Sequence, residues 1–455
     1  MDTYLTTTLC IACLVCLSPL VLYLLGFQRD PFHPLIFIGT LTFFVMTYFP
    51  LRYQPLVLDY LPGEVYARFE LLVAAVMAAI FLGWFFSSWR RKRSLNRGFE
   101  ETIRPIDVAS YNPTTLFVCG AILISIAIPL FFLTYENWQV TAYARDLGLM
   151  WLPGAMLMVQ VMVMDKRLRM GAIIFLLIAV IPPLNRFMVY GQRADTIRLA
   201  LLGVVFYMTV GKRPSRPMFI GATIFVGIIL TSLTTTRYMV ESGGARNRID
   251  ALLKVGPAYF TTAPTHLNFG EEFLYGSICT EHARVANDWG YGAAVTYVPV
   301  IHTLPKEWFP WKSDYFYMHG NYDWQELRGM FGILISSGSA PTGIADLYID
   351  LWWFSLIIWF LFGYGLHRIH LRAMISGNIR SQGILTGMMV GLMYLITQEI
   401  YQGYTQLIYA TVPIAIVYKM ARLKTADAEA RSPLTSILNT LDGVNPDGQG
   451  ALQRQ

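Results

Sequence analysis

Long apolar runs alternate with short polar connections along most of this chain. At a rise of about 1.5 Å per helical residue, most of the runs can cross, or nearly cross, the roughly 30 Å of bilayer hydrocarbon. The pattern therefore predicts an all-α polytopic membrane protein with about eleven transmembrane helices. The predicted spans cover approximately residues 4–27, 34–51, 69–87, 116–134, 149–164, 170–185, 196–211, 217–235, 346–366, 382–398 and 404–420.

One connection is much longer than the others. Residues 236–345 are polar and rich in tyrosine and tryptophan, whereas the other connections have about 5 to 30 residues. The chain therefore divides into spans one to eight (1–235), a large loop (236–345), spans nine to eleven (346–420) and a polar tail (421–455). The tail has too few apolar residues for a core, which predicts disorder.

The basic residues predict the orientation of the spans. They form clusters around Arg90, Lys166, Lys212, Arg368 and Lys419, and with these spans every cluster falls on the same side. The positive-inside bias makes that side cytoplasmic. The N-terminus and the large loop then face outward, and the tail faces the cytoplasm.

Composition agrees with a membrane protein and excludes other classes. Of the 455 residues, 55% are hydrophobic and 14% are charged, with a mean hydropathy of +0.46, which is too apolar for a soluble domain. The net charge of +6 does not indicate nucleic-acid binding, because the basic residues lie at the ends of apolar runs. The five cysteines give no disulfide framework. The first run has no basic segment before it, which predicts a retained span rather than a signal peptide.

Three arginines lie near the outer ends of spans seven and eight. Arg193 precedes span seven, Arg198 lies about one turn inside it, and Arg237 follows span eight. Because these spans form a helical hairpin, Arg193 and Arg237 are expected at one outer level. Guanidinium groups near hydrocarbon are costly, and they bind phosphates in a bidentate manner, so the set predicts an anion site. The alternative is snorkelling, or pairing with Asp195 and Glu241.

The large loop supplies candidate catalytic groups. Glu281 and His282 are adjacent and are the candidate general base. No DxD stretch, zinc-type spacing or phosphate loop occurs in the outward segments, so no metal or other cofactor is predicted. The segment HRIH (367–370) lies in a cytoplasmic basic cluster and is interpreted as a solvated helix end. The loop aromatics suit either sugar stacking or the membrane interface.

Three short motifs in this layout carry a resemblance to a known family. They are YGQRAD with Arg193, TRYM with Arg237, and TYVPVIHTLPKEWFPWK with Lys306 and Lys312, followed by SAPTGIADLY. In their order and spacing they resemble the Wzy family, the bacterial polymerases of oligosaccharide repeat units for O-antigen, exopolysaccharide and enterobacterial common antigen. The chain departs from the family where Lys306 follows Pro305 in place of arginine, because lysine lacks the bidentate geometry.

The resemblance implies a fold, a reaction and partners. The fold would be GT-C-like, of the Wzy/ligase type, in the bacterial inner (plasma) membrane. A growing glycan would be moved from undecaprenyl diphosphate onto a hydroxyl of a fresh lipid-linked repeat unit, without a metal. Arg193 and Arg237 would bind the diphosphate, with Arg198, Lys306 and Lys312 as further candidates. The expected partners are the lipid-linked donor and acceptor and a chain-length-regulating polysaccharide co-polymerase.

Three other functions remain open. An O-antigen ligase would use the same fold and donor with a different acceptor. A lipid-linked oligosaccharide flippase should have charged residues buried in several spans and short loops throughout, whereas here the polar residues are gathered in one outer loop. A metal-dependent polyprenyl-phosphate mannosyltransferase should carry acidic pairs in its first outward loop, where only Asp59 and Glu64 occur.

Overall fold

The computed structural model is all-helical over the residues that it describes. Six helices are long and apolar enough to cross a membrane, and three shorter apolar helices accompany them. No β-strand occurs in this part of the chain, which has only an isolated bridge between Tyr111 and Arg422. The described residues are 3–26, 30, 33–52, 58, 61–94, 110–132, 144, 146–186, 193–210, 215, 217–221, 244–246, 248–254, 271–287, 289–296, 342–374 and 378–423.

The helices follow the apolar runs closely. The first part of the chain contains α1 (Thr3–Leu24), α2 (Pro34–Thr42), a π-helical turn (Phe43–Tyr48), α3 (Phe49–Arg52), α4 (Gly63–Ser94), α5 (Pro113–Phe132), α6 (Trp151–Met164), α7 (Arg169–Asn185) and α8 (Arg193–Val210). The remainder contains α9 (Arg248–Lys254), α10 (Glu271–Ala286), α11 (Ala293–Thr296), α12 (Gly343–Leu351), a 3₁₀ turn (Trp352–Phe354), α13 (Ser355–Met374), α14 (Ile379–Thr397) and α15 (Ile400–Met420).

A multi-pass helical membrane protein is therefore confirmed, while the total of about eleven spans remains a prediction. Most of predicted span eight lies outside the described residues. Predicted span nine is divided, because Trp352 adopts a left-handed backbone with φ of 52° between α12 and α13. That conformation is uncommon for a bulky side chain and ends the first helix abruptly. Of the large loop, the structure describes α9, α10, α11 and a few residues beside them.

Helix α4 crosses α13 at very short distance. Gly83 of α4 lies against the backbone oxygen of Phe360, and Gly363 of α13 lies against the backbone oxygen of Ile80. A Cβ atom at either glycine would overlap that oxygen. Small residues let helix backbones approach in this way in membranes, where close packing replaces the hydrophobic effect as the driving force. The crossing therefore depends on both glycines.

Helix α10 of the large loop is built into the bundle. Phe273, Leu274, Ile278 and Ala283 are buried, and the helix packs against α4, α12 and the π-helical turn. Gly276 approaches the ring of Phe69 on α4, and a Cβ atom at position 276 would lie only 2.8 Å from that ring. Part of the large loop is thus a structural element of the bundle.

The buried Asp, Glu, Arg and His side chains of the described part form two layers. We define the loop-side layer as Glu70, Asp195, Arg198 and Asp350, with the half-buried Asp346 and Glu399, and the tail-side layer as Asp30, His367 and His370, with the half-buried His33. Along α4, Glu70 in the first layer and Ser87 beside the second are separated by roughly 25 Å of helix. This spacing is close to the thickness of bilayer hydrocarbon.

Candidate functional site

Arg198 is the centre of a buried polar network at the loop-side end of α8. One of its terminal nitrogens donates to Asp195, and the other donates to the hydroxyl of Tyr394 at 2.6 Å and to the side-chain oxygen of Gln406 at 2.7 Å. Arg198 is 2% exposed and Asp195 is fully buried. The predicted alternative of pairing with Asp195 is confirmed for this arginine. Its terminal nitrogens are held by partners within the protein, so Arg198 joins α8 to α14 and α15.

Of the other predicted anion-binding residues, only Arg193 belongs to the part of the chain that the structure describes. Arg193 is the first residue of α8, one turn and a half before Arg198. The positive end of the helix dipole and its free N–H groups therefore coincide with an arginine in the sequence. The remaining three candidates lie outside the described residues and stay predictions: Arg237, Lys306 and Lys312.

Glu281 of α10 lies between two arginines. Its oxygens accept from Nη1 of Arg68 at 3.1 and 3.2 Å and from Nε and Nη2 of Arg284 at 3.0 and 2.6 Å. Arg68 also pairs with the exposed Glu64 on α4. A carboxylate held by two guanidinium groups must give up some of these bonds before it can accept a proton. The described contacts therefore favour a structural role, in which Glu281 fixes α10 to α4.

His282, the second candidate base, follows Glu281 on the same helix and is half-buried. It lies one turn after Cys279, so the two side chains share a face of α10. The Cys279 thiol is buried, and burial together with the carboxylates of Asp346 and Glu399 raises its pKa. This face of α10 therefore points toward α12 and the turn between α14 and α15.

That turn is the meeting point of three elements. The N–H of Gly343 donates to the carbonyl oxygen of Gln398 at 2.6 Å, and the N–H of Ile400 donates to Oδ2 of Asp346 at 2.9 Å. The start of α12 thus fixes the α14–α15 hairpin. Burial raises the pKa of Glu399, which lies between Gln398 and Ile400. Sequence reasoning missed Glu399 because no motif surrounds it.

The other end of α12 is fixed to the loop in a similar way. Oδ2 of Asp350 accepts from the N–H of Val295 at 3.2 Å, and its backbone oxygen accepts from Gly292 at 3.0 Å. Gly290 packs so closely that a Cβ atom there would clash with the Asp350 carboxylate. Asp350 therefore attaches residues 289–296 of the large loop to α12.

Glu70 is a further buried acid that the sequence analysis did not identify. Oγ1 of Thr47, in the π-helical turn, donates to its Oε2 at 3.2 Å. Oε1 of Glu70 and the hydroxyl of Tyr66 have no hydrogen-bond partner among the described residues. A carboxyl group in a membrane span is costly unless it is protonated or paired, and π-helical turns are frequent at functional sites. The signal available in the sequence is one acid among apolar residues of α4.

The tail-side layer corrects the interpretation of HRIH. His367 and His370 are 5% and 8% exposed, so the prediction of a solvated helix end is wrong. Nδ1 of His367 lies 2.9 Å from Oγ of Ser87, and His370 lies 3.6 Å from Asp30. Both imidazoles, together with His33, surround Trp84; their rings lie 4.5 to 5.3 Å from its ring. The indole of Trp84 therefore acts as the packing centre for the histidines.

No group of three or more His, Cys, Asp or Glu in the described part of the chain is placed to hold a metal ion. All five cysteines are free thiols. Comparison of the chain with protein-family models, with curated proteins and with solved structures gives no match. The function must therefore be argued from the residues and their placement.

Proposed function

We propose that this protein polymerises oligosaccharide repeat units carried on undecaprenyl diphosphate, by metal-independent glycosyl transfer at the outer face of a bacterial inner membrane. The observation that carries the proposal is the network of Arg198. It fixes the first turns of α8, which begins with Arg193, to the hairpin of α14 and α15. An arginine at a fixed helix N-terminus is a favourable place for a diphosphate.

Some of the basic residues are proposed to bind the diphosphate directly, and one is proposed to position the helix that carries one of them. Arg193 and Arg237 are proposed to bind the diphosphate and to stabilise its charge as it leaves, with Lys306 and Lys312 as further cations. Because Asp195, Tyr394 and Gln406 already hold its terminal nitrogens, Arg198 is proposed to position α8. The aromatic residues of the large loop would then stack on the sugars.

Charged residues are buried in several helices, as expected for a flippase, but their distribution along the helices favours transfer at one face over transport through the membrane. A flippase must carry a charged lipid headgroup across the hydrocarbon, which calls for polar side chains along the whole path. In the described part of the chain, the buried Asp, Glu, Arg and His residues lie in two layers roughly 25 Å apart along α4, with none between them. This arrangement supports an enzyme whose chemistry takes place at one end of the bundle.

The test is polymerisation by the purified protein in liposomes that contain a lipid-linked repeat unit. Arg193→Ala and Arg237→Ala should reduce polymer formation by about 100-fold or more and leave single repeat units, because each removes a charge that stabilises the leaving group. Arg167→Ala, an exposed arginine on the tail side, is the matched control and should retain the glycan ladder. Ladders of normal length from both test variants would remove the diphosphate assignment.

Two additions to the same assay separate the competing functions. Activity should persist in excess chelator, whereas loss of activity that a divalent ion restores would favour a metal-dependent mannosyltransferase. Replacing the lipid-linked acceptor with a lipopolysaccharide core distinguishes a ligase. Transfer to that core and not to a repeat unit would assign the protein as an O-antigen ligase.

A further inference from the structure

Glu399 has a carboxylate that no described interaction uses. It occupies the N-cap position of α15 with an extended backbone (φ −60°, ψ 152°), where a side chain normally caps the helix. Its side chain makes no such hydrogen bond. Asp346 accepts instead from the N–H of Ile400, the first residue of α15, and the turn is fixed to Gly343 through Gln398. The hairpin is therefore stabilised without the Glu399 carboxylate.

The surroundings of Glu399 are suited to proton transfer. Among the described residues, the titratable groups close enough to act electrostatically with it are Asp346 on α12 and Cys279 on α10. Glu399 has no hydrogen bond or ion pair with any residue in the described part of the chain. Glu281, by contrast, is held by Arg68 and Arg284. Among the loop-side acids that the structure describes, Glu70 and Asp195 each keep one oxygen without a hydrogen bond, whereas neither oxygen of Glu399 is held.

The position of Glu399 relative to Arg198 fits a transfer reaction. The two residues that anchor the Arg198 guanidinium, Tyr394 and Gln406, lie on either side of Glu399 in the hairpin. Seven residues of helix separate Glu399 from Gln406, which places the carboxylate roughly 10 Å along the axis toward the end of the bundle. A diphosphate at the start of α8 would have its attached sugar near this level.

We propose that Glu399 is the general base of the glycosyl transfer, an inference that rests on the proposed function. Its carboxylate takes the proton of the attacking hydroxyl on the acceptor sugar. The oxygen of that hydroxyl forms the bond to the anomeric carbon of the donor glycan. The bond from that carbon to the diphosphate breaks, and its electron pair leaves with the diphosphate. The substrate class recognised at Glu399 is therefore the acceptor sugar hydroxyl.

The test compares Glu399→Gln and Glu399→Asp in the liposome polymerisation assay. Glu399→Gln should lower the rate by about 100-fold or more, the usual effect of removing a general base. Glu399→Asp should keep measurable activity. Binding of undecaprenyl diphosphate, measured by photo-crosslinking, should be unchanged in both variants. Glu64→Gln, which alters an exposed glutamate on the same side, is the matched control and should keep the wild-type rate.

The pH profile gives a readout that a purely structural residue would not change. The wild-type rate should rise with pH as Glu399 ionises, and this limb should be absent from the residual activity of Glu399→Gln. A wild-type rate in Glu399→Gln would overturn the inference, as would equal losses in both variants with an unchanged pH profile. A wild-type protein that binds undecaprenyl diphosphate and forms no polymer overturns the proposed function itself, and the base with it.

Discussion

The loop-side and tail-side layers both bury polar groups, and they do so in different ways. In the tail-side layer, the imidazoles pack around Trp84, with Ser87 and Asp30 as polar neighbours. The loop-side layer combines a paired arginine, Arg198, with buried acids, and one oxygen of Glu70 has no hydrogen bond among the described residues. Nδ1 of His33 in the tail-side layer likewise has none there. The layers therefore differ in the kind of group that they bury: acids around a guanidinium on the loop side, where an unpaired charge is costly, and imidazoles around an indole on the tail side.

The largest expected effect comes from breaking the crossing of α4 and α13, which carry Glu70 of the loop-side layer and the two histidines His367 and His370 of the tail-side layer. Gly363→Ala places a methyl group against the backbone oxygen of Ile80, where no flexible side chain can move aside. We expect loss of monodisperse, folded protein in detergent, measured by size exclusion and thermal unfolding. Gly365→Ala is the matched control, since its Cβ would meet nothing within 4 Å. It should remain folded, within about 1 kcal/mol of the wild type. Equal behaviour of the two variants would contradict the crossing.

The next largest effect is expected from breaking the buried ion pair of Arg198 and Asp195 in the loop-side layer. Arg198→Leu leaves Asp195 buried without its partner, and we expect a loss of about 3 to 5 kcal/mol in the free energy of unfolding. The double variant Asp195→Leu with Arg198→Leu should recover part of that loss, because no isolated charge remains. Chemical unfolding followed by tryptophan fluorescence measures both. If the double variant is as unstable as the single one, the cost is one of packing rather than of charge.

In the tail-side layer, His33 is expected to make the stability of the fold depend on pH, because it is neutral in the folded protein. Burial, with a contribution from His367, lowers the pKa of His33 to about 3. In the unfolded chain a histidine binds a proton near pH 6.5, so the stability due to His33 is complete above that pH and is lost as the pH falls toward 3. The slope is at most about 1.4 kcal/mol per pH unit. Melting temperatures between pH 7.5 and 4.5 should fall less for His33→Asn than for the wild type.

The pH dependence of stability due to Glu399, on the loop side, should have the opposite sign to that of His33. The pKa of Glu399 is raised by burial, so its contribution to stability is complete at low pH and is lost as the pH rises through the raised value. The same melting series applied to Glu399→Gln should therefore remove a decline toward higher pH. A decline toward higher pH that persists in Glu399→Gln would mean that Glu399 does not cause it.

The smallest expected effects on stability come from the two ion pairs of Arg68 on the loop side, one exposed and one partly buried. Arg68 contacts Glu64, whose side chain is 75% exposed, and Glu281, whose side chain is 16% exposed. Exposed ion pairs contribute about 0 to 1 kcal/mol, so Glu64→Gln should change the unfolding free energy very little. Glu281→Gln should cost more, because it weakens two guanidinium contacts in a less exposed place. Equal costs would indicate that α10 is held by its apolar face alone.

The sequence predicts the helices well and their contacts poorly. Helices α5, α7 and α14 begin and end within about three residues of the predicted spans, because a bilayer imposes an apolar run of fixed length. The partners of Arg198 could not be predicted in the same way, since Tyr394 follows it by 196 positions. The side chain of Glu399 does not cap α15, and Asp346 accepts from the first N–H of that helix. The histidines of the tail-side layer pack around the ring of Trp84. Such relations depend on which helices pack together, and apolar periodicity does not specify that.

The glycine crossing between α4 and α13 also bears on how the protein is made. Residues near Gly83 emerge from the ribosome well before Phe360, which completes their packing. At about 5 to 20 residues per second, the early spans wait for tens of seconds in the bilayer without this neighbour. Small residues then face lipid on an incomplete helix surface. The exposed surface of α4 is therefore covered only once α13 has been synthesised, so the order of synthesis sets how long it stays open.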